Sequence, residues 1–466
     1  MKEFRIGLYG LGVMGSSLAK NLIHHGFQTA LYGKGTEERS RFFCEENVGN
    51  WQVFENMTEF VGSLSKPRTV FLMITAGKPV DMVISSLLPY LETGDVLIDG
   101  GNSHFQDTNR RASMLAEKGI YYLGIGVSGG EKGALTGPSM MVGGSYEGWL
   151  RCKDVLQSVA ADYNGESCCG YVGPEGAGHY VKMVHNGIEY AILQLIADSY
   201  QILKEMNLPH EQIFSVFDHW HTGVLNGYLM DISVRVLGKT DSETGRPLVD
   251  CILDVAGQNG TGSWTLIEAV ARGVYTPTIS EAVFARNFSQ QTELRKLGSN
   301  VLARGNRTIH LENYEERLES ALYAGIICCY AQGLELIKKA SYDFEWNIDL
   351  RQVVSLWRDG CIIRSKFLSL LADALDEEPD APNILLTKRL SSLIATLQSP
   401  WREVIVQAIM GSTAVPALIS TISYYESYHT EKMSINLVQG LRDCFGAHTY
   451  ERVDKPGRFH TVWEEL

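Results

Sequence analysis

A glycine-rich turn between a strand-like and a helix-like segment constrains the fold of this chain more than any other feature. Residues 4–9 are mostly apolar, as in a strand, and residues 14–25 follow an amphipathic helical pattern. Glycines between them permit a tight turn, a close backbone approach to a pyrophosphate and close packing of helix on strand. The turn therefore predicts a dinucleotide site, the alternative being a turn that serves packing alone. The residues predicted to bind the cofactor here are Gly10, Leu11, Gly12, Val13, Met14 and Gly15.

Short apolar segments alternate with helical patterns over the first 176 residues. Further strands are predicted at 27–32, 69–74, 95–98 and 120–125, with helical spacers between them. This alternation indicates βαβ units, a parallel sheet covered on both faces and right-handed crossovers. Residues 1–176 are therefore predicted to form an α/β, Rossmann-like doubly wound domain.

The pattern changes after a segment at residues 173–178 that is rich in glycine and proline. Beyond it, apolar residues recur at intervals of three and four, as amphipathic helices require, and this continues to about residue 425. The periodicity weakens from Ser434 onwards. We therefore predict a large all-α domain over residues 177–433 and an irregular C-terminal tail over residues 434–466.

Composition narrows the class of protein. The formal charge of −13 over 466 residues argues against a nucleic-acid binder or a polybasic membrane-surface protein. The nine cysteines show no spacing typical of a zinc site or a disulfide framework. We see no secretory leader and no apolar run long enough for a membrane span. A soluble cytoplasmic protein is the expectation.

The end of the second predicted strand bears on the choice of cofactor. An NAD site places Asp or Glu there to bind the ribose hydroxyls, whereas this chain has Gly33, Lys34 and Gly35. A lysine at this place can meet a 2′-phosphate, which favours NADP over NAD. A solvated surface lysine is the alternative, and the nearby Glu37 and Glu38 weaken the argument for NADP.

A polar stripe lies on an otherwise apolar helical pattern soon after residue 178. Lys182, His185 or Asn186, and Glu189 or Tyr190 recur at helical spacing and therefore share one face. Polar groups on a buried helix must face a polar cavity or satisfy one another. Burial would also move the pKa values of a lysine and a glutamate toward neutrality, where acid–base catalysis is efficient. The alternative is a solvated amphipathic face.

Two glycine-rich loops leave consecutive predicted strands, at residues 99–103 and 126–130. Ligands of doubly wound sheets collect at the carboxyl ends of the strands, and exposed backbone N–H groups there suit an anion. Either loop alone is equally typical of a tight turn, but the pair favours a substrate site. The candidate residues are Asn102, Ser128, Gly129 and Gly130.

With these features in place, the sequence resembles the 6-phosphogluconate dehydrogenase family over essentially its whole length. The motifs at 99–103 and 126–131 are shared with the wider β-hydroxyacid dehydrogenase group. More specific to the family are the stretch 182–190 and the later motifs, at residues 260–262, 281–286, 360–365 and 442–450.

The resemblance implies an NADP-dependent oxidative decarboxylation of 6-phosphogluconate to ribulose 5-phosphate and carbon dioxide, in the pentose phosphate pathway. Lys182 would remove the proton of the C3 hydroxyl and then polarise the ketone, and Glu189 would deliver a proton to C1. No metal is required, because the ammonium group serves as the electrophile. The resemblance also implies a homodimer, in which the tail of each subunit completes the active site of the other.

The family's functional residues map onto matching positions of this chain. Those implied to bind the substrate are Asn102, Ser128, Gly129, Gly130, His185, Asn186, Tyr190, Asn259, Arg286, Arg442 and His448. Those implied to bind the cofactor, beyond the glycine turn, are Gly33, Lys34, Gly35, Ile74, Thr75, Ala76 and Asn102.

Three positions depart from the family pattern. Asn259 stands in place of a substrate-phosphate lysine, and losing one charge-assisted contact costs about 1.5–3 kcal/mol, so weaker substrate binding is expected. Thr75 replaces a lysine on the cofactor side, and residues 33–35 replace Asn-Arg-Thr. Since lysine lacks the bidentate fork of arginine, these two changes bear on the strength and selectivity of NADP binding.

Two other functions remain open at this stage. A dehydrogenase for a different β-hydroxyacid would use the same base without the phosphate contacts, against which Arg286, Arg442 and His448 argue. A nucleotide-binding or sugar-phosphate-binding protein without turnover would accommodate Asn259 and Thr75. Binding alone, however, does not require a paired acid and base.

Overall fold

The structure is a computed structural model that describes residues 3–33, 35, 50–258, 260–305 and 308–463. Two of the predicted site residues, Lys34 and Asn259, lie outside these ranges. The chain divides into two compact units, Met1–Thr421 and Ile422–Leu466.

An eight-stranded sheet organises the first part of the larger unit. Its strands are β1 (Ile6–Tyr9), β2 (Thr29–Tyr32), β3 (Trp51–Phe54), β4 (Thr69–Leu72), β5 (Val96–Asp99), β6 (Tyr121–Ser128), β7 (Ser139–Gly144) and β10 (Cys169–Gly173). A separate hairpin pairs β8 (Asp162–Tyr163) with β9 (Glu166–Ser167). The helices of this part are α1 (Val13–His24), α2 (Met57–Gly62), α3 (Lys78–Leu87), α4 (Phe105–Ala116), α5 (Gly130–Thr136) and α6 (Tyr146–Val159). The strand order β10-β7-β6-β5-β4-β1-β2-β3 confirms the predicted Rossmann-like arrangement.

The sheet is larger than the sequence pattern predicted, and it is not wholly parallel. β3, β7 and β10 were not predicted: Phe54 is the one buried residue of β3, β7 ends in two glycines, and β10 contains two glycines. Neither β3 nor β7 contains the long apolar run from which a buried strand is predicted. β7 pairs antiparallel with β6, with Ser128 opposite Ser139, whereas the other pairings in the sheet are parallel. The expectation of a purely parallel sheet was therefore wrong at this one pairing.

Two hydrophobic clusters cover the opposite faces of the sheet. Along β4, Phe71 belongs to one cluster, whereas Val70 and Leu72 belong to the other, as the two-residue period of a strand requires. The first cluster includes Leu18 of α1, and the second includes Ile84 of α3. Because both faces are buried, the loops at the strand ends are held on a rigid base.

The rest of the larger unit is helical, as predicted. Its helices are α7 (Ala177–Glu205), α8 (His210–Trp220), α9 (Tyr228–Leu237), α10 (Thr261–Arg272), α11 (Pro277–Ser289), α12 (Thr292–Val301), α13 (Tyr314–Asp343), α14 (Leu350–Leu356), α15 (Phe367–Glu377), α16 (Lys388–Met410) and the first part of α17 (Pro416–His429). Single 3₁₀ turns lie at Leu88–Tyr90, Leu248–Cys251 and Ile384–Leu386.

The long helices α7 and α13 pack closely at their glycines. A Cβ on Gly333 would lie 2.5 Å from Ile188 Cδ1, and one on Gly325 would lie 2.9 Å from Leu195 Cδ1. By length and composition alone α13 could span a membrane, but 89% of its most apolar stretch is buried inside the protein. Its apolar surface therefore packs against the fold and embeds α7.

The smaller unit contains more regular structure than the irregular tail that the sequence suggested. It holds the end of α17, then α18 (Ile435–Gly446) and an antiparallel pair, β11 (Tyr450–Glu451) with β12 (Arg458–Phe459). The buried carboxylate of Asp443 accepts hydrogen bonds from the backbone N–H groups of Thr449 and Thr461 and from Trp463 Nε1. This one side chain therefore folds residues 443–463 upon themselves.

Candidate active site

The glycine turn joins β1 to α1, as predicted. Gly10 has a φ of 104°, and a Cβ on Gly15 would lie 1.9 Å from the carbonyl oxygen of Gly10, so neither position admits a side chain without strain. A Cβ on Gly12 would meet nothing within 4 Å and would project into open space. That space lies at the N-terminus of α1, where a phosphate is favoured. These residues therefore fit a dinucleotide.

A cavity of about 460 Å³ opens beside this turn. It is formed by the loops that follow β1, β4 and β5, at the carboxyl edge of the sheet. Its lining residues are Tyr9, Gly10, Gly12, Val13, Met14, Gly15, Met73, Ile74, Thr75, Gly100, Gly101, Asn102 and Val127. Of the predicted cofactor residues, Leu11 is buried behind the turn, and Gly33, Gly35 and Ala76 are not among the lining residues.

A second cavity, of about 320 Å³, adjoins the first. Met14, Asn102 and Val127 line both cavities. The other lining residues of the second cavity are Ser128, Gly129, Gly130, Lys182, Asn186, Glu189, Tyr190, Gly257, Gln258, Thr261, Arg286 and Ile362. A molecule in the second cavity would therefore meet a dinucleotide in the first across Asn102.

Helix α7 reaches the second cavity because it lies unusually close to β6. A Cβ on Gly126 would lie 2.3 Å from Lys182 Cβ, and one on Gly178 would lie 2.4 Å from the carbonyl oxygen of Gly124. Glycines on both elements permit this approach. As a result, the polar stripe of α7 faces the loop that follows β6, as the helical spacing predicted.

Lys182, Ser128 and His185 form a buried hydrogen-bonded cluster. Lys182 Nζ donates to Ser128 Oγ at 2.9 Å and lies 3.3 Å from His185 Nδ1. His185 Nε2 lies 3.2 Å from Ser128 Oγ, and its Nδ1 lies 3.2 Å from Asn186 Oδ1. His185 itself is fully buried and is not among the lining residues of the cavity. It therefore stands behind Lys182 and Ser128.

Burial shifts the ionisable groups of this cluster toward their neutral forms. It lowers the pKa of Lys182, an effect that the negative charge of Glu189 opposes. It raises the pKa of Glu189, which the positive charges of Lys182 and Arg286 oppose. It also holds the pKa of His185 well below its usual range, with a further contribution from Lys182. Burial thus biases both Lys182 and Glu189 toward their neutral forms.

The second cavity also contains a positively charged side chain, Arg286, that could bind an anionic group of a ligand. The Arg286 guanidinium lies 3.4 Å from the centre of the Tyr190 ring and donates a hydrogen bond to the carbonyl oxygen of Gly257. Thr261 begins α10 there, and its Oγ1 accepts a hydrogen bond from Asn186 Nδ2. A phosphate at this place would meet both an arginine and a helix N-terminus.

Two family models match adjacent parts of the chain. The NAD binding domain of 6-phosphogluconate dehydrogenase matches residues 5–173, and the 6-phosphogluconate dehydrogenase C-terminal domain matches residues 178–463. The chain belongs to the 6-phosphogluconate dehydrogenase family. The specific motifs that carried the resemblance, from residue 182 to residue 450, lie within the C-terminal match.

Individual members of this family are similar over nearly the full length. The NAD(+)-dependent, decarboxylating 6-phosphogluconate dehydrogenase of Bacillus subtilis is 44% identical, over 99% of both chains. The NADP(+)-dependent enzyme of the same organism is 45% identical, over 99% of this chain and 100% of that one. The structure of the Plasmodium falciparum 6-phosphogluconate dehydrogenase, studied apo, with NADP+ and with 6-phosphogluconate, superposes with a TM-score of 0.94 at 38% identity, covering 98% of this chain and 100% of that one.

The structure brings most of the predicted substrate residues of the larger unit to one cavity. Arg442 and His448 belong to the smaller unit, so their place at the site stays a prediction. The prediction missed several lining residues of the second cavity, which are Val127, Gly257, Gln258, Thr261 and Ile362. Val127, Thr261 and Ile362 lie inside the motifs at 126–131, 260–262 and 360–365 and could have been found there, whereas Gly257 and Gln258 show no local signal of a site.

Proposed function

We propose that this chain is an NADP-dependent 6-phosphogluconate dehydrogenase that releases ribulose 5-phosphate and carbon dioxide, in the cytoplasmic pentose phosphate pathway. One observation carries the proposal: Lys182 and Glu189 line a cavity that adjoins a dinucleotide cavity, and burial biases them toward opposite proton-transfer roles. A simple binding pocket has no need of that pair. Membership of the family and the similar relatives support the same conclusion.

In the first step, the neutral amine of Lys182 accepts the proton of the C3 hydroxyl. The chemistry supplied by the cofactor is acceptance of a hydride from the same carbon. Ser128 and His185 hold Lys182 Nζ in place by hydrogen bonding. Low dielectric surroundings make the resulting ammonium a strong electrostatic partner for the new ketone oxygen.

In the second step, the ammonium of Lys182 donates to the C3 ketone oxygen while the bond between C1 and C2 breaks. Carbon dioxide leaves, and the electron pair of that bond forms an enediol. Glu189 then delivers its proton to C2 of the substrate, which becomes C1 of the product, and Lys182 takes back a proton from the C3 hydroxyl of the enediol, which leaves the ketone ribulose 5-phosphate. Burial favours the protonated form of the Glu189 carboxyl, because it raises the pKa of this group.

The choice of NADP rests on residues 33–35, which carry no carboxylate and include Lys34. The relatives do not decide it, since the NAD(+)-dependent and NADP(+)-dependent enzymes are 44% and 45% identical to this chain. Initial rates with NADP and with NAD, measured in wild type and in Lys34→Ala, test the assignment. We expect Lys34→Ala to raise KM for NADP and to leave KM for NAD unchanged.

We further propose a homodimer whose tails, with Arg442 and His448, complete the opposite active sites. Exposed apolar surface marks interaction sites, and the helices α10 to α12 carry much of it: Val270 is 74% exposed and Val301 is 72% exposed. Other exposed apolar side chains on these helices are Ile267, Phe284, Phe288, Leu294 and Leu297. A second copy of the chain is the partner that the family resemblance implies.

The test of the proposed function follows reduced nicotinamide and released carbon dioxide after 6-phosphogluconate is added with NADP. We expect the two products in equal amounts. Reduction without carbon dioxide would mean that 6-phosphogluconate is oxidised but not decarboxylated, which contradicts the proposal. Neither product, from protein shown to be folded and dimeric, would favour a dehydrogenase for another β-hydroxyacid or a binding protein without turnover, and turnover with other β-hydroxyacids would separate these two.

A further inference from the structure

A fully buried arginine, Arg111 of α4, joins the two loops that form one side of the dinucleotide cavity. One loop runs from β4 to α3 and contributes Met73, Ile74 and Thr75 to the lining; the other follows β5 and contributes Gly100, Gly101 and Asn102. Arg111 is itself 0% exposed and is not among the lining residues. Arg111 can therefore affect the cavity only through the loops that it holds.

Toward the first loop, Arg111 Nη2 donates to the carbonyl oxygen of Gly77 at 3.0 Å. The guanidinium also forms a bidentate pair with Asp81, from Nε at 2.8 Å and from Nη2 at 3.1 Å. Gly77 precedes α3 with a φ of 86°, and Asp81 lies in the first turn of that helix. This arginine therefore holds both the end of the loop and the helix that follows it.

Toward the second loop, Arg111 Nη1 donates to Asp99 Oδ2 and to Ser103 Oγ, each at 3.4 Å. Asp99 is fully buried and in turn accepts from the Gly101 backbone N–H and from Ser103 Oγ. The five N–H groups of one planar guanidinium thus make five hydrogen bonds.

The two loops are in contact where they meet the cavity. A Cβ on Gly101 would lie 2.9 Å from the carbonyl oxygen of Ile74. A small shift of either loop would therefore move Asn102 or Ile74 in the cavity wall. Since Asn102 lines both cavities, such a shift would also reach the substrate side.

We infer that Arg111 is a positioning residue that fixes these two loops relative to each other, so that the affinity for the nicotinamide cofactor depends on it. The inference rests on the proposed function only in requiring that the first cavity binds such a cofactor. Arginine is needed because its rigid fork spans the two loops, whereas the ammonium of lysine is a single point charge.

Tyr122 offers a matched control. Its hydroxyl donates to the same carboxylate oxygen, Asp99 Oδ2, at 3.0 Å, and the residue is also buried. Tyr122 lies on β6, and this hydrogen bond does not reach the loop at Gly77 or the helix at Asp81. Tyr122→Phe removes one buried hydrogen bond and leaves both loops tied by Arg111. Arg111→Lys retains the positive charge beside Asp99 and removes the fork.

The experiment is a fluorescence titration of each purified variant with NADPH, beside a thermal unfolding curve. Both substitutions should lower the unfolding midpoint. Arg111→Lys should raise the dissociation constant of NADPH about tenfold, and Tyr122→Phe less than about twofold. Equal dissociation constants for the two variants would overturn the inference and leave Arg111 a purely structural residue.

Should Arg111→Lys fail to fold, Asp81→Asn carries the same test, because the Asp81 side chain is 38% exposed and tolerates substitution better. It removes the bidentate anchor at α3, and we expect NADPH to bind about threefold more weakly or worse; unchanged binding would contradict the inference. A wild-type protein that binds NADPH without turning over 6-phosphogluconate would contradict the proposed function, and the same titrations would still decide the role of Arg111.

Discussion

At the scale of single residues, the proposed chemistry depends on Lys182 being neutral while Glu189 is protonated. Activity should rise with pH as Lys182 loses its proton and fall as Glu189 loses its own, which gives a bell-shaped profile of kcat. Burial lowers the first pKa from 10.5 and raises the second from 4.5. The bell should therefore be narrower than the interval between those two ordinary values.

The variant Glu189→Gln tests whether the fall of kcat at high pH is due to ionisation of Glu189. The variant retains only the ionisation of Lys182, so activity should climb with pH and then level off, at a kcat lower by about 10²–10⁴-fold. Glu117→Gln, on an exposed glutamate at the end of α4, is the control and should match wild type. A falling limb at high pH that persists in Glu189→Gln would contradict the assignment.

A second residue-scale prediction concerns Asn259, where the family resemblance implies a lysine. Asn259→Lys restores one charge-assisted contact to the substrate phosphate, so KM for 6-phosphogluconate should fall about tenfold or more. KM for NADP should stay as it is. Steady-state kinetics with each substrate varied in turn check this, and an unchanged KM for 6-phosphogluconate would mean that the phosphate does not meet position 259.

At the scale of elements, the proposed catalysis depends on how closely α7 approaches β6. A Cβ on Gly126 would lie 2.3 Å from Lys182 Cβ and 2.9 Å from the carbonyl oxygen of Gly178. Gly126→Ala should therefore displace the helix, lower the thermal midpoint and reduce kcat roughly a hundredfold, because small misplacements of a catalytic group are costly. Gly62→Ala, where a Cβ meets nothing within 4 Å, is the control and should leave both quantities unchanged. A fully active Gly126→Ala would show that the close approach is not required.

The elements also show what sequence reasoning could and could not predict. The period of the apolar residues was sufficient for β1, α1 and the buried stripe of α7, since a single face of each is strongly patterned. It was not sufficient for β3, which is partly exposed, or for β7 and β10, in which glycines break the apolar pattern. The folding of the tail around Asp443 was missed because it depends on contacts made by one buried carboxylate.

In the candidate site, too, some residues could be predicted from the sequence and others could not. Lys182, Glu189, Ser128 and Asn102 were predicted from spacing and from their positions at strand ends, and they line adjoining cavities. The buried position of His185 could not be read from its spacing, because its orientation depends on packing against β6 and its loop. Contributions from Gly257, Gln258 and Ile362 come from segments distant in sequence, whose proximity only the tertiary fold establishes.

At the scale of the whole molecule, the proposed dimer predicts that active sites are shared between subunits. Lys182→Met lacks the base but has an intact tail, whereas Arg442→Ala has the base and lacks a tail arginine. Mixed dimers would contain one complete site, so dissociating and reassociating an equal mixture should restore about a quarter of wild-type activity at low substrate. Each variant alone serves as the control. A mixture no more active than the average of its parts would contradict the sharing of sites.

The central claim is that Lys182, a buried residue that lines the second cavity, is the base of the reaction. The measurement that tests it most directly is the turnover of Lys182→Met with 6-phosphogluconate and NADP, beside its affinity for NADPH. We expect kcat to fall about 10³-fold or more while the dissociation constant for NADPH stays within about twofold of wild type. Lys118→Met, on an exposed lysine, should behave as wild type in both measurements. Turnover in Lys182→Met equal to that of wild type would contradict the mechanism.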